Sequence, residues 1–245
     1  MTASITKRTT PERKTVDLVN ESPMKRNLFL LIGLVLFCLA IGCAGKVKQE
    51  KTAEQLADEG LAAFDRKRYL KAVESFEKIR DWYPFSQYAM VADLKIADAH
   101  FEMKNYEEAV MAYEEFERLH PRHEDIPRVV YRIGLCHYKR MDTIDRDQTP
   151  AKNALDVFYR LQRQFPDHEL ALKAADLIGK CRENLAGHEL YVGKFYFKSK
   201  HYQAALKRFE NVRDNFADVG DIKTAEEYIA WCRQRLADGD PDKKE

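Results

Sequence analysis

Cysteine and histidine have the widest chemical scope of the residues in this chain, because a thiolate or an imidazole can bind a metal or attack a substrate. Apart from Cys38 within an apolar N-terminal run and Cys43 directly after it, the cysteines are Cys136, Cys181 and Cys232, separated by 45 and 51 residues. Structural zinc sites draw their ligands from close pairs, and the sequence contains no CxxC pair. The spacing therefore favours buried, free thiols at helix interfaces.

Two His-Glu pairs, His168-Glu169 and His188-Glu189, resemble the start of a zinc-binding HExxH helix. The fifth residues are Leu172 and Val192, so neither segment can present two imidazoles one helical turn apart. The sequence also has no glycine-rich phosphate loop and no GxSxG motif. We predict no catalytic residue, no metal site and no cofactor other than a covalent lipid.

That lipid is predicted from the N-terminus, where an uncharged run, LFLLIGLVLFCLAIG, follows Lys25-Arg26 and ends directly before Cys43. A membrane-spanning helix needs about 20 apolar residues. A basic flank, a shorter apolar run and small residues before a cleavage site are instead typical of a secretory signal. The ending Leu-Ala-Ile-Gly-Cys resembles a bacterial lipobox, in which a peptidase cuts before a cysteine that then carries the lipid.

We therefore expect residues 1–42 to be a leader, with a lipoprotein signal peptide over 24–42 and lipidation at Cys43. Residues 1–23 are polar and patternless, and represent either a misplaced start or a cytoplasmic extension. Two other interpretations remain open: an uncleaved membrane anchor, or an ordinary secretory signal with an incidental cysteine. Ala44 stands where an aspartate would resemble an inner-membrane retention signal, which favours the periplasmic face of the outer membrane.

Charge excludes one class of partner. The chain has 41 basic and 40 acidic residues, and removing residues 1–42 leaves 35 basic against 37 acidic. Non-specific nucleic-acid binding requires a cationic field that this balance does not supply. The 45% apolar content and the few glycines and prolines favour a folded, helical chain.

The sequence contains a repeated pattern of helices, and these helices would position any binding residue. Pro84, Pro121 and Pro166 are each preceded by alanine at twelve residues, an aromatic at eight and a large apolar residue at five. Counting back from the closing residue places Gly60, Ala97 and Gly193 where two helices should cross closely. This is the tetratricopeptide (TPR) pattern of two antiparallel helices per unit.

The pattern predicts an all-α TPR-type solenoid of about ten antiparallel helices over residues 53–237. Residues 43–52 form a linker after Cys43, and residues 238–245 form a polar tail. The third unit fits only with eight extra residues, which we place in a surface loop over 141–150. Two extra helices over 169–185, with Gly179 in the small position, and over 222–236 complete the array. The predicted units are 53–86, 90–123, 127–168 and 186–219.

Two residue sets are candidates for binding an extended peptide. Aromatic side chains that are partly exposed to solvent suit peptide recognition. The aromatic candidates are Tyr83, Phe85 and Tyr88 at the junction of the first two units, with His100 further along the next helix. Arg132, Lys139 and Arg140 on the third unit could meet acidic groups or a terminal carboxylate. The alternatives are that the aromatics pack the junction, and that the cations are solvated and offset by Asp142, Asp145 and Asp147.

The leader, the TPR units, the Tyr83-Pro84-Phe85 element with Tyr88, and the Asp145-Arg146-Asp147 loop together resemble the BamD family over about residues 43–219. The resemblance implies a non-catalytic, periplasm-facing lipoprotein scaffold of outer-membrane β-barrel assembly. It also implies that the N-terminal units bind unfolded barrel clients and that residues 186–236 dock on a BamA-like protein. Two rival interpretations are a TPR lipoprotein of the Tol–Pal or peptidoglycan-coordination type, and a periplasmic hydrolase built on a TPR fold.

Overall fold

The computed structural model describes residues 50–239, and these form an α-helical solenoid without β-strands. The leader, Cys43 and the end of the polar tail lie outside the described residues. The helices are α1 Ala53–Asp65, α2 Tyr69–Trp82, α3 Ala89–Glu102, α4 Tyr106–Leu119, α5 Ile126–Lys139, α6 Thr149–Gln164, α7 Glu169–Lys198, α8 Tyr202–Asn215 and α9 Ile222–Ala237. Each packs on the helix before and after it, and α5 also contacts α7. The TPR-type class is confirmed.

A recurrent turn joins the two helices of a unit. In the first unit Phe64 at the end of α1 meets Tyr69 at the start of α2 edge to face, with ring centroids 5.2 Å apart. The same pairing recurs between α3 and α4 and between α7 and α8. In all three turns the lysine two residues before the tyrosine has a positive φ, between 57° and 64°: Lys67, Lys104 and Lys200. A left-handed residue is what reverses the chain between the two helices.

Glycines sit where the helices of a pair cross, as the spacing predicts. A Cβ on Gly134 would lie 2.5 Å from Phe158 Cε1, and one on Gly60 would lie 2.7 Å from Phe76 Cε1. Gly193 stands in the same relation to Phe209. Carbon atoms normally pack about 3.5–4.0 Å apart. These positions therefore admit no side chain unless the buried ring moves.

Helix α7 differs from the prediction, because the two helices expected over 169–185 and from 186 onward are one continuous helix of 30 residues. No proline interrupts the segment, and the apolar faces of its two halves pack in succession on different neighbours. We expected Gly179 at a helix crossing, but a Cβ added there would have no neighbouring heavy atom within 4 Å. That prediction is wrong because the first half of α7 has no second helix of its own to cross.

The core is divided into three apolar clusters along the solenoid. One lies between α1, α2 and α3 and contains Phe76 and Ile79. The second runs from α3 to the first half of α7 and contains Phe116 and Phe158. The third joins the second half of α7 to α8 and α9 around Phe209. The buried apolar surface is therefore spread along the repeat interfaces, as a solenoid requires.

The insertion in the third unit is packed on the protein at two points. The Ile144 side chain covers Gly187 of α7, with Cγ2 2.9 Å from where a Cβ would lie. Asn184 of α7 donates to the Asp142 carbonyl at 3.0 Å, and the His188 ring nitrogen lies 2.6 Å from the Ile144 carbonyl. Gln148 is buried and donates to two loop carbonyls. The loop is thus a docked surface loop, and α6 already begins at Thr149.

Two cysteines, Cys136 and Cys181, are buried free thiols, as the sequence predicts. Burial raises the pKa of Cys136 to about 12 and that of Cys181 to about 11, because the thiolate would lose its solvation. Between residues 50 and 239, no helix has the length and apolarity needed to cross a membrane.

Candidate binding surfaces

A groove opens where the first two helix pairs meet. It has a volume of about 620 Å³. Its apolar wall includes Phe85, Met90 and Leu119, and its polar wall includes Arg80, Asp93 and His120. The groove is formed by the end of α2 and the turn after it, by the first half of α3, and by the second half of α4 with His120 directly after it. An extended segment with an apolar side chain could fit here.

The predicted aromatic set at this junction divides between the core and the surface. Tyr83 caps α2, packs on the first core cluster, and donates its hydroxyl to the Lys51 carbonyl at 2.8 Å. Tyr88 also packs on that cluster at the start of α3. Phe85 projects fully into solvent, with a relative exposure of 101%. Of the three rings, only Phe85 borders the groove.

The polar wall of the groove is partly desolvated. Burial raises the pKa of the Asp93 carboxyl, and nearby Arg80 and His120 oppose that rise. The His120 Nε2 atom lies 3.8 Å from the Asp93 carboxylate, while its ring packs on Phe116. The buried Ser86 hydroxyl has no hydrogen-bond partner among the described residues. The groove therefore offers unsatisfied hydrogen-bonding capacity beside an apolar wall, which is how binding clefts fix the orientation of a ligand.

His100 does not join this groove. It lies near the end of α3, half-buried, and its Nδ1 atom is buried without a hydrogen-bond partner among the described residues. Across the described residues, no group of three or more His, Cys, Asp or Glu side chains is placed to hold a metal ion.

The predicted basic set links neighbouring units. The Arg132 guanidinium lies 4.2 Å from the centroid of the Phe101 ring and 3.7 Å from the Glu102 carboxylate, both on α3. Arg140 at the end of α5 is ion-paired with Glu107 at the start of α4. Lys139 is exposed. The arginines are offset by acidic residues of the preceding unit, about thirty positions earlier, and the aspartates of the insertion play no part in these pairs.

A buried network supports the same interface. Tyr113 donates to the Asp98 carboxylate at 2.6 Å, and Arg128 donates to the same oxygen at 3.0 Å. Asp98 is only 8% exposed. Charge-assisted bonds of this kind fix the relative position of the second and third units.

An aromatic cluster lies at the C-terminal end of the solenoid. Tyr228 of α9 stacks on Phe209 with centroids 4.7 Å apart and meets Phe197 edge to face at 5.1 Å. Trp231 contacts Tyr228 and is 46% exposed. On α7, Phe195 is 63% exposed. This end therefore presents aromatic surface that the described residues leave uncovered.

Comparison with known proteins adds a family to this geometry. A family model described as YfiO, outer membrane lipoprotein, matches residues 49–243. A Rickettsia prowazekii protein named outer membrane protein assembly factor BamD is 34% identical over 76% of this chain and 74% of its own length. Proteins of the same name are 27% identical in Vibrio cholerae, over 84% of this chain and 90% of theirs, and 26% identical in Neisseria meningitidis serogroup A, over 87% and 85%.

This chain belongs to the BamD family. The match extends beyond the region over which the sequence motifs carried the resemblance, and it covers every described helix. Among solved structures, the TPR2AB-domain:pHSP90 complex of yeast Sti1 is 15% identical with a TM-score of 0.43, over 76% of this chain and 71% of that one. That likeness is too distant to bear on function.

Sequence reasoning missed most of the groove of this BamD-family protein. Met90, Asp93, Leu119 and His120 line it but were not among the candidate residues. The sequence did contain a signal for this groove. Pro84 and Pro121 occupy equivalent positions of adjacent units, so residues near the two prolines are expected to lie close together in the solenoid. The exposed Trp231 and Phe195 carry no comparable signal, because their exposure depends on what packs beyond the last helix.

Proposed function

We propose that this chain is a non-catalytic scaffold of outer-membrane β-barrel assembly, lipid-anchored through Cys43 on the periplasmic face of the outer membrane. Membership of the BamD family supports the role, since its relatives carry the name of outer membrane protein assembly factors. The groove beside Phe85 binds an apolar segment of an unfolded barrel client. The C-terminal surface within residues 186–236 docks on a BamA-like protein.

The observation that carries the client site is the complete exposure of Phe85 at the mouth of the groove. A phenylalanine in water gains about 1.5–3 kcal/mol when a partner buries it. Leu119, 48% exposed, faces the same groove, so an apolar client side chain would cover both residues together. Tyr83 and Tyr88 act by holding the turn, because their rings are already packed on the core.

Site-specific photocrosslinking in growing cells tests the client site. A photoreactive residue at position 85 should crosslink to barrel precursors, whereas one at Leu172, which is 69% exposed on α7, should not. In pulldowns, Phe85→Ala with Leu119→Ala should lower precursor recovery, and Leu172→Ala should leave it unchanged. Equal crosslinking from both positions would remove the groove from the proposal.

The docking surface is tested separately. Trp231→Ala with Phe195→Ala should weaken co-purification of the BamA-like protein while precursor crosslinking from position 85 persists. Buried aromatic anchors typically contribute 2 kcal/mol or more, about a 30-fold change in affinity. If only Tol–Pal or peptidoglycan-binding proteins co-purify with the chain, the result would instead support the rival function of coordinating the cell envelope.

A further inference from the structure

Three adjacent cations stand out in the turn between α1 and α2. Arg66, Lys67 and Arg68 are exposed, and none of them forms an ion pair in the part of the chain that the structure describes. The arginines on the later units commonly pair with a carboxylate, as Arg160 does with Glu117 and Arg208 with Glu189. The unpaired charges of this turn are therefore available to an external partner.

An exposed apolar side chain lies next to these three cations. Leu70, in the first turn of α2, is 71% exposed. It borders a shallow depression of about 420 Å³ that is also lined by Lys67, Arg68, Lys71 and Met103. We refer to residues 66–71 as the cationic turn.

Few acidic residues lie next to the cationic turn along the chain. Asp65 immediately precedes it and is exposed. Lys71 lies 3.1 Å from Glu59, but Glu59 is also paired with Lys51. Lys104, in the equivalent turn of the next unit and adjacent to Met103, adds a further exposed cation. Residues 65–71 thus carry four basic side chains against one acidic side chain, although the whole chain is close to neutral.

We propose that the cationic turn binds the anionic phospholipid headgroups of a membrane surface, with Leu70 inserted among the acyl chains. Anionic headgroups are complementary to the unpaired cations, and an exposed leucine within a basic cluster is the composition of an interfacial membrane contact. A protein partner fits less well, because protein interfaces have a core of aromatic and aliphatic residues. The apolar lining of this depression is limited to Leu70, Met103 and the Tyr69 ring, which already packs edge to face on Phe64. The contact is distinct from the client groove and would set the orientation of the solenoid on the membrane.

The test places an environment-sensitive fluorophore on the turn and reads membrane contact directly. The full chain carrying Leu70→Cys is labelled with NBD and reconstituted into vesicles of phosphatidylcholine alone, or of equal parts phosphatidylcholine and phosphatidylglycerol. Because the label reports only the surroundings of position 70, an anchor that brings the chain to both kinds of vesicle does not by itself produce a difference between them. The unsubstituted chain gives the labelling background of its own cysteines, of which Cys136, Cys181 and Cys232 are buried.

Leu172→Cys is the matched control, because Leu172 is 69% exposed on α7, far along the chain from the cationic turn. We expect a blue shift and increased emission at position 70 in the anionic vesicles only, and no change at position 172. Raising the salt to about 1 M, where the Debye length falls to about 3 Å, should reverse the shift.

Removal of charge makes the test quantitative. Each basic residue near an anionic surface contributes about fivefold, so Arg66→Gln, Lys67→Gln and Arg68→Gln together should lower the ratio of inserted to free label about 100-fold. A triple variant with the same net charge, Arg122→Gln, Arg163→Gln and Lys223→Gln, should leave that ratio unchanged.

Four results would overturn the proposal. Three are an equal signal in neutral and anionic vesicles, an equal signal at positions 70 and 172, and an equal loss in both triple variants. A shift at position 70 that appears with soluble poly-glutamate but not with vesicles would also overturn it, and would assign the cationic turn to an acidic protein segment.

Discussion

Replacing Gly134 with alanine should destabilise the protein although alanine is the better helix former. The new Cβ would lie 2.5 Å from Cε1 and 2.7 Å from Cδ1 of Phe158, about 1 Å inside normal carbon contact. Phe158 is fully buried, and its ring also meets Tyr131 at 5.9 Å, so it has little room to turn away. Overpacking of this kind costs about 1–3 kcal/mol, against which alanine gains at most about 1 kcal/mol of helix propensity. With the full propensity gain, we expect a net loss of up to about 2 kcal/mol.

Gly179 provides the matched control on another helix. A Cβ there meets no heavy atom within 4 Å, so Gly179→Ala should stabilise the protein by about 0.5–1 kcal/mol through helix propensity alone. Thermal unfolding followed by circular dichroism should therefore shift in opposite directions, by about 2–4 °C per kcal/mol for a chain of this size.

A second substitution tests whether the ring contact is the cause. Phe158→Leu shortens the side chain that the alanine would meet, so the double variant Gly134→Ala, Phe158→Leu should lose less stability than the sum of the two single variants. Contacting residues show coupling of about 0.5–3 kcal/mol. Additive losses, or an increase in stability for Gly134→Ala comparable to that for Gly179→Ala, would refute the close-crossing argument.

Three further outcomes follow from the structure. Lys104 has φ of 63°, so Lys104→Gly should raise the unfolding midpoint by relieving about 1 kcal/mol of left-handed strain, whereas Lys104→Ala should not. Tyr113→Phe removes one of the hydrogen bonds to the buried Asp98 carboxylate, so urea unfolding should show a loss of about 1–3 kcal/mol, and an unchanged midpoint would mean that water replaces the hydroxyl. Cys136 and Cys181, with pKa values raised to about 12 and about 11, should resist a thiol reagent at pH 8 in the native protein and react promptly in urea, since only the thiolate attacks. Rapid native-state modification would contradict their burial.

The repeat units could be predicted because small and aromatic residues recur at fixed offsets, and each offset corresponds to one contact. The separation between Gly60 and Phe76 in the sequence equals that between Gly193 and Phe209, and in both pairs the glycine lies against the ring. The continuity of α7 was not predicted. Repeat spacing indicates the position of each helix in the sequence, but it does not indicate whether two successive helices are separated by a turn or form one continuous helix.

The binding residues were predicted less completely, for a different physical reason. A sequence shows that Phe85 is aromatic, but its exposure depends on what the neighbouring turns cover. Tyr83 has similar chemistry and lies on the core, where it bonds to the Lys51 carbonyl. The partners of Arg132 and Arg140 lie on the preceding unit, so the neutralisation of their charge is a tertiary property.

Helix α7 has a mechanical consequence for the whole array. Its first half contributes Ile178 to the second core cluster, and its second half contributes Leu190 to the third. At 30 residues it is about 45 Å long. The two clusters thus share one continuous helix, and α7 contains no loop that could act as a hinge between them. A force applied to the C-terminal helices would be transmitted along α7 to the middle of the solenoid, so that the two regions can change their relative position only if α7 itself bends.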